Sequence, residues 1–267
     1  MKSYPPERHV LRDLRVFTQR DEEGAVTGLP VVPELCGPSG DVRAGVLATL
    51  VDIAGGELAA RSARPEWIAT SDLVLHRLRR VRGKQIEARP AVVRRSRQTV
   101  VLEVALSDGG ADPLGLATMT FAVVPAREAQ RHLAAGDAPP RTEFALPGSG
   151  LDAPLVEKLG ARCLDAASGR FELELAPYTV NSLGALQGGI AALLVDLAAE
   201  AAGGKALGSR CESSDVALNY LALARESPVR TSARVLRAGA FGALVRVETR
   251  DASGRACLVA SVAVARV

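Results

Sequence analysis

Two aspartates, Asp52 and Asp196, lie inside apolar, helix-like segments where a charged side chain is unexpected. Each follows a glycine by seven residues, Gly45 and Gly189 respectively, and has an aliphatic residue on both sides. Because an unpaired carboxylate is costly to bury, such an aspartate needs a hydrogen-bonding partner or a chemical task. A structural hydrogen bond is the simpler interpretation of a single aspartate, whereas recurrence at a repeated position favours a function. A buried carboxylate suits general-base or nucleophilic catalysis.

The glycines before Asp196 could supply the second requirement of an acyl-transfer site. Gly188 and Gly189 stand at the expected start of a helix, where backbone N–H groups lack intrahelical partners and carry partial positive charge. Glycine at this place lets a carbonyl group approach the backbone closely. Thioester hydrolysis needs an activated water and donors for the oxyanion that develops on the carbonyl, and the pattern is compatible with both.

The sequence segments that would form the surrounding helix and strands occur twice along the chain. The segment 44–54 aligns with 188–198, Ser71-Asp72 aligns with Ser214-Asp215, and 100–108 aligns with 243–251 after a shift of one residue. Two copies indicate a duplicated domain of ordinary size. We expect a first repeat over 1–125, a linker over 126–154 and a second repeat over 155–267. The linker is rich in proline and glycine and contains a helix-like stretch, Arg127 to Ala135.

Each repeat predicts the same order of elements. A strand comes first, clearest at Phe171–Leu175, and the buried, Ala-rich helix follows. Four alternating segments come next: 73–81, 85–93, 100–106 and 116–124 in the first repeat, and 216–223, 229–236, 244–249 and 257–265 in the second. Short strands joined by turn signals predict an antiparallel sheet. The fold class is α+β, with an antiparallel sheet wrapped around a central helix in each repeat.

The second repeat contains Asn181, then Gln187-Gly188-Gly189, then Asp196. This pattern resembles the hotdog-fold acyl-CoA thioesterases of the phenylacetyl-CoA type, in which an Asn is followed six residues later by His-Gly-Gly and then by an Asp on the central helix. The resemblance implies a double hotdog chain and an acyl-CoA thioesterase. Here Gln187 replaces the family histidine, and glutamine can donate a hydrogen bond but cannot shuttle a proton.

The resemblance also implies that each site combines residues of both repeats. Asn181, Gln187, Gly188 and Gly189 would face Asp52, with Asp as general base or nucleophile and the Gly188 N–H as oxyanion donor. The other site would join Asp196 with Arg43, Ala44 and Gly45, where the first repeat has lost the motif, since Gly37 stands where the Asn would be. We expect an asymmetric pair of sites, with Arg43 and Asp196 in a structural salt bridge.

Arginines dominate the segment 77–97, where Glu87 is the single acid. Two interpretations stay open: a solvated or inter-repeat surface, and a docking surface for the phosphates of coenzyme A, in which Arg79 and Arg82 would bind substrate. His76 is expected to be an ordinary packed or surface histidine. Ser71-Asp72 and Ser214-Asp215 are expected to hydrogen-bond at the ends of strands.

Composition excludes several other classes of function. A net charge of +3 over 267 residues gives no support for a nucleic-acid partner. The four cysteines lack metal-ligand or disulfide spacing, and no metal or redox cofactor is implied beyond the coenzyme A of the substrate. The N-terminus lacks a signal peptide and no segment is apolar enough to span a membrane, so we expect a cytoplasmic protein. Family analogy suggests a homodimer of tandem chains. The alternative function is a non-catalytic acyl-CoA binding or scaffold protein.

Overall fold

The computed structural model describes residues 4–21, 24–126 and 140–267. The helix-like stretch predicted over 127–135 lies outside the described residues. The first half contains α1 (Val10–Asp13), β1 (Phe17–Asp21), β2 (Gly24–Pro30), a 3₁₀ turn (Pro33–Leu35), α2 (Ala44–Ala63), β3 (Trp67–Arg77), β4 (Gln85–Arg95), β5 (Thr99–Ser107) and β6 (Gly115–Val124). The chain continues with β7 (Arg141–Glu143), which pairs with β1 of the first half. The second half contains α3 (Leu155–Lys158), β8 (Arg162–Asp165), β9 (Arg170–Leu173), α4 (Gly188–Leu207), β10 (Cys211–Tyr220), β11 (Val229–Ala238), β12 (Gly242–Arg250) and β13 (Ala256–Arg266).

The two long helices form because their sequences are rich in Ala and Leu, which are strong helix formers. Most of their residues are buried on every side, so each helix is a core element. The first helix stops at Arg64, immediately before Pro65, which cannot continue the backbone hydrogen-bond ladder. The second stops at Gly208, whose φ of +64° suits a left-handed C-cap. Both helices extend nine residues beyond the aligned segments 44–54 and 188–198.

All thirteen strands in the described part of the chain belong to one antiparallel sheet. Its order is β7-β1-β2-β4-β5-β6-β3-β10-β13-β12-β11-β9-β8. The halves meet where β3 pairs with β10, with Leu73 opposite Leu218 and His76 opposite Asp215. On one side of this seam the sheet packs around α2, and on the other side it packs around α4. This arrangement is the predicted α+β double hotdog.

The serine-aspartate pairs lie inside strands rather than at their ends. β3 starts at Trp67, six residues before the predicted start at Leu73, and its register with β6 shifts between Thr70 and Asp72. The same shift occurs in β10 between Ser213 and Asp215. Each repeat therefore has a β-bulge at the serine of the pair, a device that re-aims the neighbouring side chains. The expectation of strand-end hydrogen bonds was wrong because the strands begin earlier than their alternation predicted.

The two long helices run in opposite directions and touch through glycines. A Cβ on Gly189 would lie 2.5 Å from Thr49 Cα, and a Cβ on Gly45 would lie 2.6 Å from Leu193 Cα. Only glycine permits so close an approach of two helix backbones. The Thr49 hydroxyl, buried at this crossing, donates to the carbonyl of Gly45 at 2.7 Å and of Gly189 at 2.9 Å.

Among the described helices, none has the length and apolarity needed to cross a bilayer.

Candidate functional site

The structure places the Asp52 carboxylate of α2 against the start of α4. Asp52 Oδ2 accepts hydrogen bonds from the Gly189 backbone N–H at 3.1 Å and from the Gln187 side-chain amide at 3.1 Å. A Cβ on Gly188 would lie 2.8 Å from the same oxygen, so any side chain at this position would displace the Asp52 carboxylate. The aspartate of one repeat therefore lies beside the glycines of the other, as the resemblance implied.

Gln187 caps the helix that it precedes. Its Oε1 accepts from the Ile190 N–H at 2.9 Å, so that its Nε2 is directed at Asp52. The Ala191 N–H donates to the Gln187 carbonyl, and the Gly189 N–H donates to Asp52. Of the first four N–H groups of α4, only that of Gly188 has no protein acceptor among the described residues. That N–H is free to bind a ligand oxygen.

Two hydroxyl groups complete the surroundings of Asp52, and the sequence reasoning missed both. Thr70, next to the bulge in β3, donates to Asp52 Oδ1 at 3.1 Å. The Tyr220 hydroxyl, at the end of β10, donates to the Gly188 carbonyl at 2.9 Å and steadies the start of α4. Comparison of the two repeats could not reveal Thr70, because both strands carry a bulge at this place and the sequences therefore do not differ by it.

Burial dominates the electrostatics of Asp52. Its residue is 8 % exposed, and desolvation raises the pKa of its carboxyl from the usual 3.8 to about 6, although hydrogen bonds from Thr70 and Gly189 act in the opposite direction. The carboxyl is therefore mostly ionised at neutral pH and more basic than an ordinary aspartate. Desolvation and the charge of Asp52 also raise the pKa of the Tyr4 and Tyr220 hydroxyls, so both stay protonated near neutral pH.

A cavity of about 1100 Å³ opens beside Asp52. It is lined by both repeats, because the second half of α2 and the first half of β3 face the loop before α4 and the segment after β10. Most of its wall is apolar, including Ile53, Trp67, Ile68, Phe121, Phe144, Leu186, Leu223 and Leu258. Charged residues lie toward the end of α2, where Arg20 pairs with Glu57 and where Arg61 and Arg64 are exposed. The volume and lining suit an organic ligand with an apolar portion.

Asn181 lines this cavity but contacts its own loop. The Asn181 Oδ1 accepts from the backbone N–H groups of Leu183 at 2.9 Å and Ala185 at 3.2 Å, which holds the turn before Gln187. The N-terminal segment also packs on this loop, since the buried His9 ring bonds the Val180 carbonyl at 3.0 Å. Asn181 thus shapes the loop that presents Gln187 and Gly188.

The pseudo-equivalent arrangement around Asp196 is closed. Asp196 Oδ2 accepts from the Gly45 N–H at 3.0 Å, whereas its Oδ1 is buried without a hydrogen-bond partner among the described residues. Arg43 caps no N–H of α2 with its side chain and instead donates to Glu200 at 2.5 Å. The expected salt bridge between Arg43 and Asp196 was therefore wrong in its partner, because Glu200 lies one helical turn further along α4. Asp196 is fully buried.

Glu200 is held in an acidic environment. Burial, followed by the charge of Asp196, raises the pKa of Glu200 to about 8, although the contact with Arg43 acts in the opposite direction. Ala44 and Gly45 begin α2 and are buried. In the described part of the chain, none of these residues lines the large cavity beside Asp52. The structure thus brings Asp196, Ala44, Gly45 and Arg43 together without giving them an open pocket.

Arg79 and Arg82 lie away from both aspartates. The Arg79 guanidinium makes a two-pronged ion pair with the buried Asp108 at 2.9 and 2.6 Å and also donates to the carbonyls of Arg80 and Asp112. Arg82 is exposed, and its backbone N–H also donates to Asp108. Neither residue lines the cavity that the described residues enclose. Arg79 therefore secures a turn of the sheet, and neither arginine belongs to the candidate site.

His76 lies on the outer surface of the seam, half exposed and 2.7 Å from Asp215. Its position fits the expected surface histidine. No cluster of three or more His, Cys, Asp or Glu residues with metal-binding geometry occurs within 4–21, 24–126 and 140–267. The four cysteines are free, and two of them, Cys211 and Cys257, are buried.

Comparisons with known proteins agree with this architecture. Residues 39–112 match the family model described as Thioesterase superfamily, a span that contains α2 and Asp52. No curated protein sequence matches this chain.

The solved structures that resemble nearly the whole chain include three bacterial proteins. The tesB protein of Mycobacterium avium subspecies paratuberculosis has a TM-score of 0.63 at 12 % identity and covers 94 % of this chain and 96 % of its own. A Thermobifida fusca protein provisionally named thioesterase II has a TM-score of 0.64 at 13 % identity, with coverages of 97 % and 98 %. An acyl-ACP thioesterase from Bacteroides thetaiotaomicron has a TM-score of 0.58 at 12 % identity, with coverages of 90 % and 96 %. At these identities the likeness shows a shared hotdog fold over nearly the full length.

Proposed function

We propose that this chain hydrolyses acyl thioesters, with acyl-CoA as the substrate, in the cavity beside Asp52. The observation that carries the proposal is the position of the Asp52 carboxylate. It is desolvated, borders a largely apolar cavity, and faces the start of a helix whose Gly188 N–H has no protein acceptor among the described residues. A base or nucleophile and a candidate oxyanion donor thus lie close together at the start of α4.

The reaction follows from this geometry. The thioester carbonyl oxygen would accept from the Gly188 N–H at the positive end of α4, which stabilises negative charge on that oxygen. Asp52 would then remove a proton from a water that attacks the carbonyl carbon, after which the carbon–sulfur bond breaks and the thiol leaves with the proton. In the nucleophilic variant, Asp52 attacks the carbon itself, thiolate leaves, and water hydrolyses the mixed anhydride.

Gln187 and Thr70 would act by holding Asp52. Gln187 uses its oxygen in capping α4 and presents only N–H donors to the carboxylate, so it orients the base and exchanges no proton with it. Thr70 holds the other carboxylate oxygen from β3. With both oxygens anchored, the carboxylate cannot rotate freely, and this lowers the cost of reaching the reactive geometry.

The walls of the cavity support a substrate with an apolar acyl group and a charged carrier. Apolar residues from both repeats cover most of the surface, while the exposed Arg61 and Arg64 lie where the cavity meets the end of α2. Arginine suits phosphate groups, which coenzyme A and the phosphopantetheine of acyl carrier protein both contain. The acyl-ACP specificity of one structural relative makes the carrier a variable to be measured, and coenzyme A is our choice.

The test measures free thiol released from short, long and aromatic acyl-CoA esters and from the corresponding acyl carrier protein esters. We expect Asp52→Asn to lower kcat/KM by about 10²- to 10⁴-fold, as loss of a general base does. The matched variant Asp196→Asn should retain most activity, because Asp196 lies outside the cavity. Equal losses in both variants, or the larger loss in Asp196→Asn, would reverse the assignment. Tight binding of acyl-CoA without turnover by the wild-type protein would favour a binding or scaffold function.

A further inference from the structure

The first long helix contains two adjacent glycines with different surroundings. A Cβ on Gly55 would lie 2.7 Å from Met119 Sδ and 3.4 Å from a ring carbon of Phe121, so a side chain there would have to displace the buried Met119 of the sheet. A Cβ on Gly56 would meet no atom of the described residues within 4 Å. Glycine in the interior of a helix lowers stability relative to alanine because its backbone loses more freedom on folding. The packing of the fold therefore gives no reason for glycine at position 56.

The position of Gly56 on the wall of the cavity explains why the residue is a glycine. It lies four residues after Asp52, and residues four apart are neighbours on one face of a helix. Gly56, Asp52 and Ala60 all line the same cavity. The space that a side chain at position 56 would occupy is therefore cavity volume directly beside the carboxylate.

The second repeat shows what happens when this position holds a side chain. The register that aligns Asp52 with Asp196 also aligns Gly56 with Glu200 and Gln187 with Arg43. Glu200 and Arg43 make an ion-pair contact at 2.5 Å, and their side chains are only 10 % and 14 % exposed. Where Gln187 is directed at the aspartate of the opposite repeat, Arg43 is directed at Glu200. The side chain at position 200 thus lies over the site of Asp196, which is fully buried.

We propose that Gly56 determines which substrates reach Asp52: the missing side chain leaves room beside the carboxylate for the bulk of the substrate. The Glu200–Arg43 pair closes the corresponding space in the second repeat. This inference rests on the proposed function, since it assigns a specificity determinant to the same cavity.

The experiment compares Gly56→Ala and Gly56→Leu with the wild-type protein on acetyl-, palmitoyl- and phenylacetyl-CoA. Alanine should lower kcat/KM for the two larger esters about tenfold more than kcat/KM for acetyl-CoA, a difference typical of one misplaced methyl group in a pocket. Leucine should remove measurable activity toward the larger esters. Gly56→Ala should unfold at a temperature no lower than the wild type, because alanine favours helix and its Cβ meets no described atom within 4 Å.

Gly239→Ala is the matched control, since a Cβ there also meets no described atom within 4 Å and the residue is exposed and outside the cavity. It should change none of the three kcat/KM values. An unchanged ratio of the palmitoyl to the acetyl value in Gly56→Ala would overturn the inference while leaving thioester hydrolysis intact.

Inactivity of the wild-type protein toward all thioesters would instead refute the proposed function. In that case calorimetric binding of non-hydrolysable thioether analogues of the three esters tests Gly56 separately. Weaker binding of the larger analogues by Gly56→Leu supports the inference, and equal binding by variant and wild type overturns it.

Discussion

Asp52 and Gly189 are 137 residues apart in the chain, yet the carboxylate of the first accepts the backbone N–H of the second at 3.1 Å. The hydrogen bond joins the middle of α2 to the beginning of α4 across the contact between the two repeats. Neither repeat alone contains both partners, so the candidate site exists only when the halves are docked. The reciprocal bond from Gly45 to Asp196, at 3.0 Å, shows that the docking is pseudo-symmetric.

The first prediction concerns the dependence of activity on pH. Only ionised Asp52 can act as base or nucleophile, and burial raises the pKa of this carboxyl to about 6. The second-order rate constant of thiol release, kcat/KM, should therefore be half-maximal near pH 6, fall at lower pH and level off about one pH unit above the pKa. A profile measured between pH 4.5 and 8 on acetyl-CoA checks this. A midpoint near 4, the ordinary value for aspartate, would mean that the reacting carboxyl is exposed.

The second prediction tests Thr70 as a positioning residue. The Thr70→Val variant keeps the shape of the side chain but removes the hydrogen bond to Asp52 Oδ1. Since that bond lowers the pKa of the carboxyl, its loss should move the acid limb of the pH profile to higher pH and lower kcat. Thr18→Val is a matched control, because the Thr18 hydroxyl is also buried but bonds Thr27. A lower kcat in Thr70→Val with an unmoved pH midpoint would argue for a purely structural role.

The third prediction is that a variant without the Asp52 carboxylate is more stable than the wild-type protein. The folded pKa of Asp52, about 6, exceeds its ordinary value of 3.8, so the folded state holds this proton more tightly than the unfolded state. The stability that the protonated group contributes is complete below the unfolded value and is lost as pH rises through about 6. Asp52→Asn should therefore increase the free energy of unfolding above pH 6, by at most about 3 kcal/mol.

Denaturant unfolding at pH 4 and pH 8 checks that expectation. An asparagine can keep the geometry, with its oxygen accepting from Gly189 and Gln187 and its amide donating to Thr70. The gain should be present at pH 8 and absent at pH 4. A variant less stable than the wild type at pH 8 would show that ionised Asp52 stabilises the fold.

The fourth prediction separates stability from activity at the closed site. Arg43→Met keeps the apolar stem of the side chain but leaves the buried Glu200 carboxyl without its partner at 2.5 Å. The free energy of unfolding should fall by about 1–3 kcal/mol, the cost of removing one partner of a buried hydrogen bond, while the backbone of Ser213 still bonds the carboxyl. Thiol release should be unchanged, because Arg43 lies outside the cavity. Equal stability with reduced turnover would place Arg43 in the working site.

Much of the fold could be predicted because the sequences of the two repeats could be aligned with each other. The aligned aspartates and glycines located the two central helices, and the alternating segments predicted the sheet. The start of β3 was missed because Ile68, Ala69 and Thr70 face the cavity as well as the helix, which removes the simple alternation of a half-buried strand. Thr70 was missed for the same reason.

The partner of Arg43 could not be predicted from spacing alone. Asp196 and Glu200 are one helical turn apart and face the same way, so both were within reach of an arginine from the other repeat. Only the close crossing at Gly45 decides between them, because it brings the α2 backbone onto Asp196 itself and leaves the side chain of residue 43 to extend toward Glu200. Likewise, the guanidinium of Arg79 could bind a phosphate group, and only the structure shows that this guanidinium already pairs with Asp108.

The pairing of β3 with β10 makes one continuous sheet of two halves that a single chain joins covalently. In a symmetric pair of separate subunits, a mutation at one position would appear in both sites at once. A covalently joined pair is free of that constraint, so glycine and glutamate can occupy one structural position in the same molecule. Fusion thereby allows one half to evolve toward rigidity while its sister retains room for chemistry.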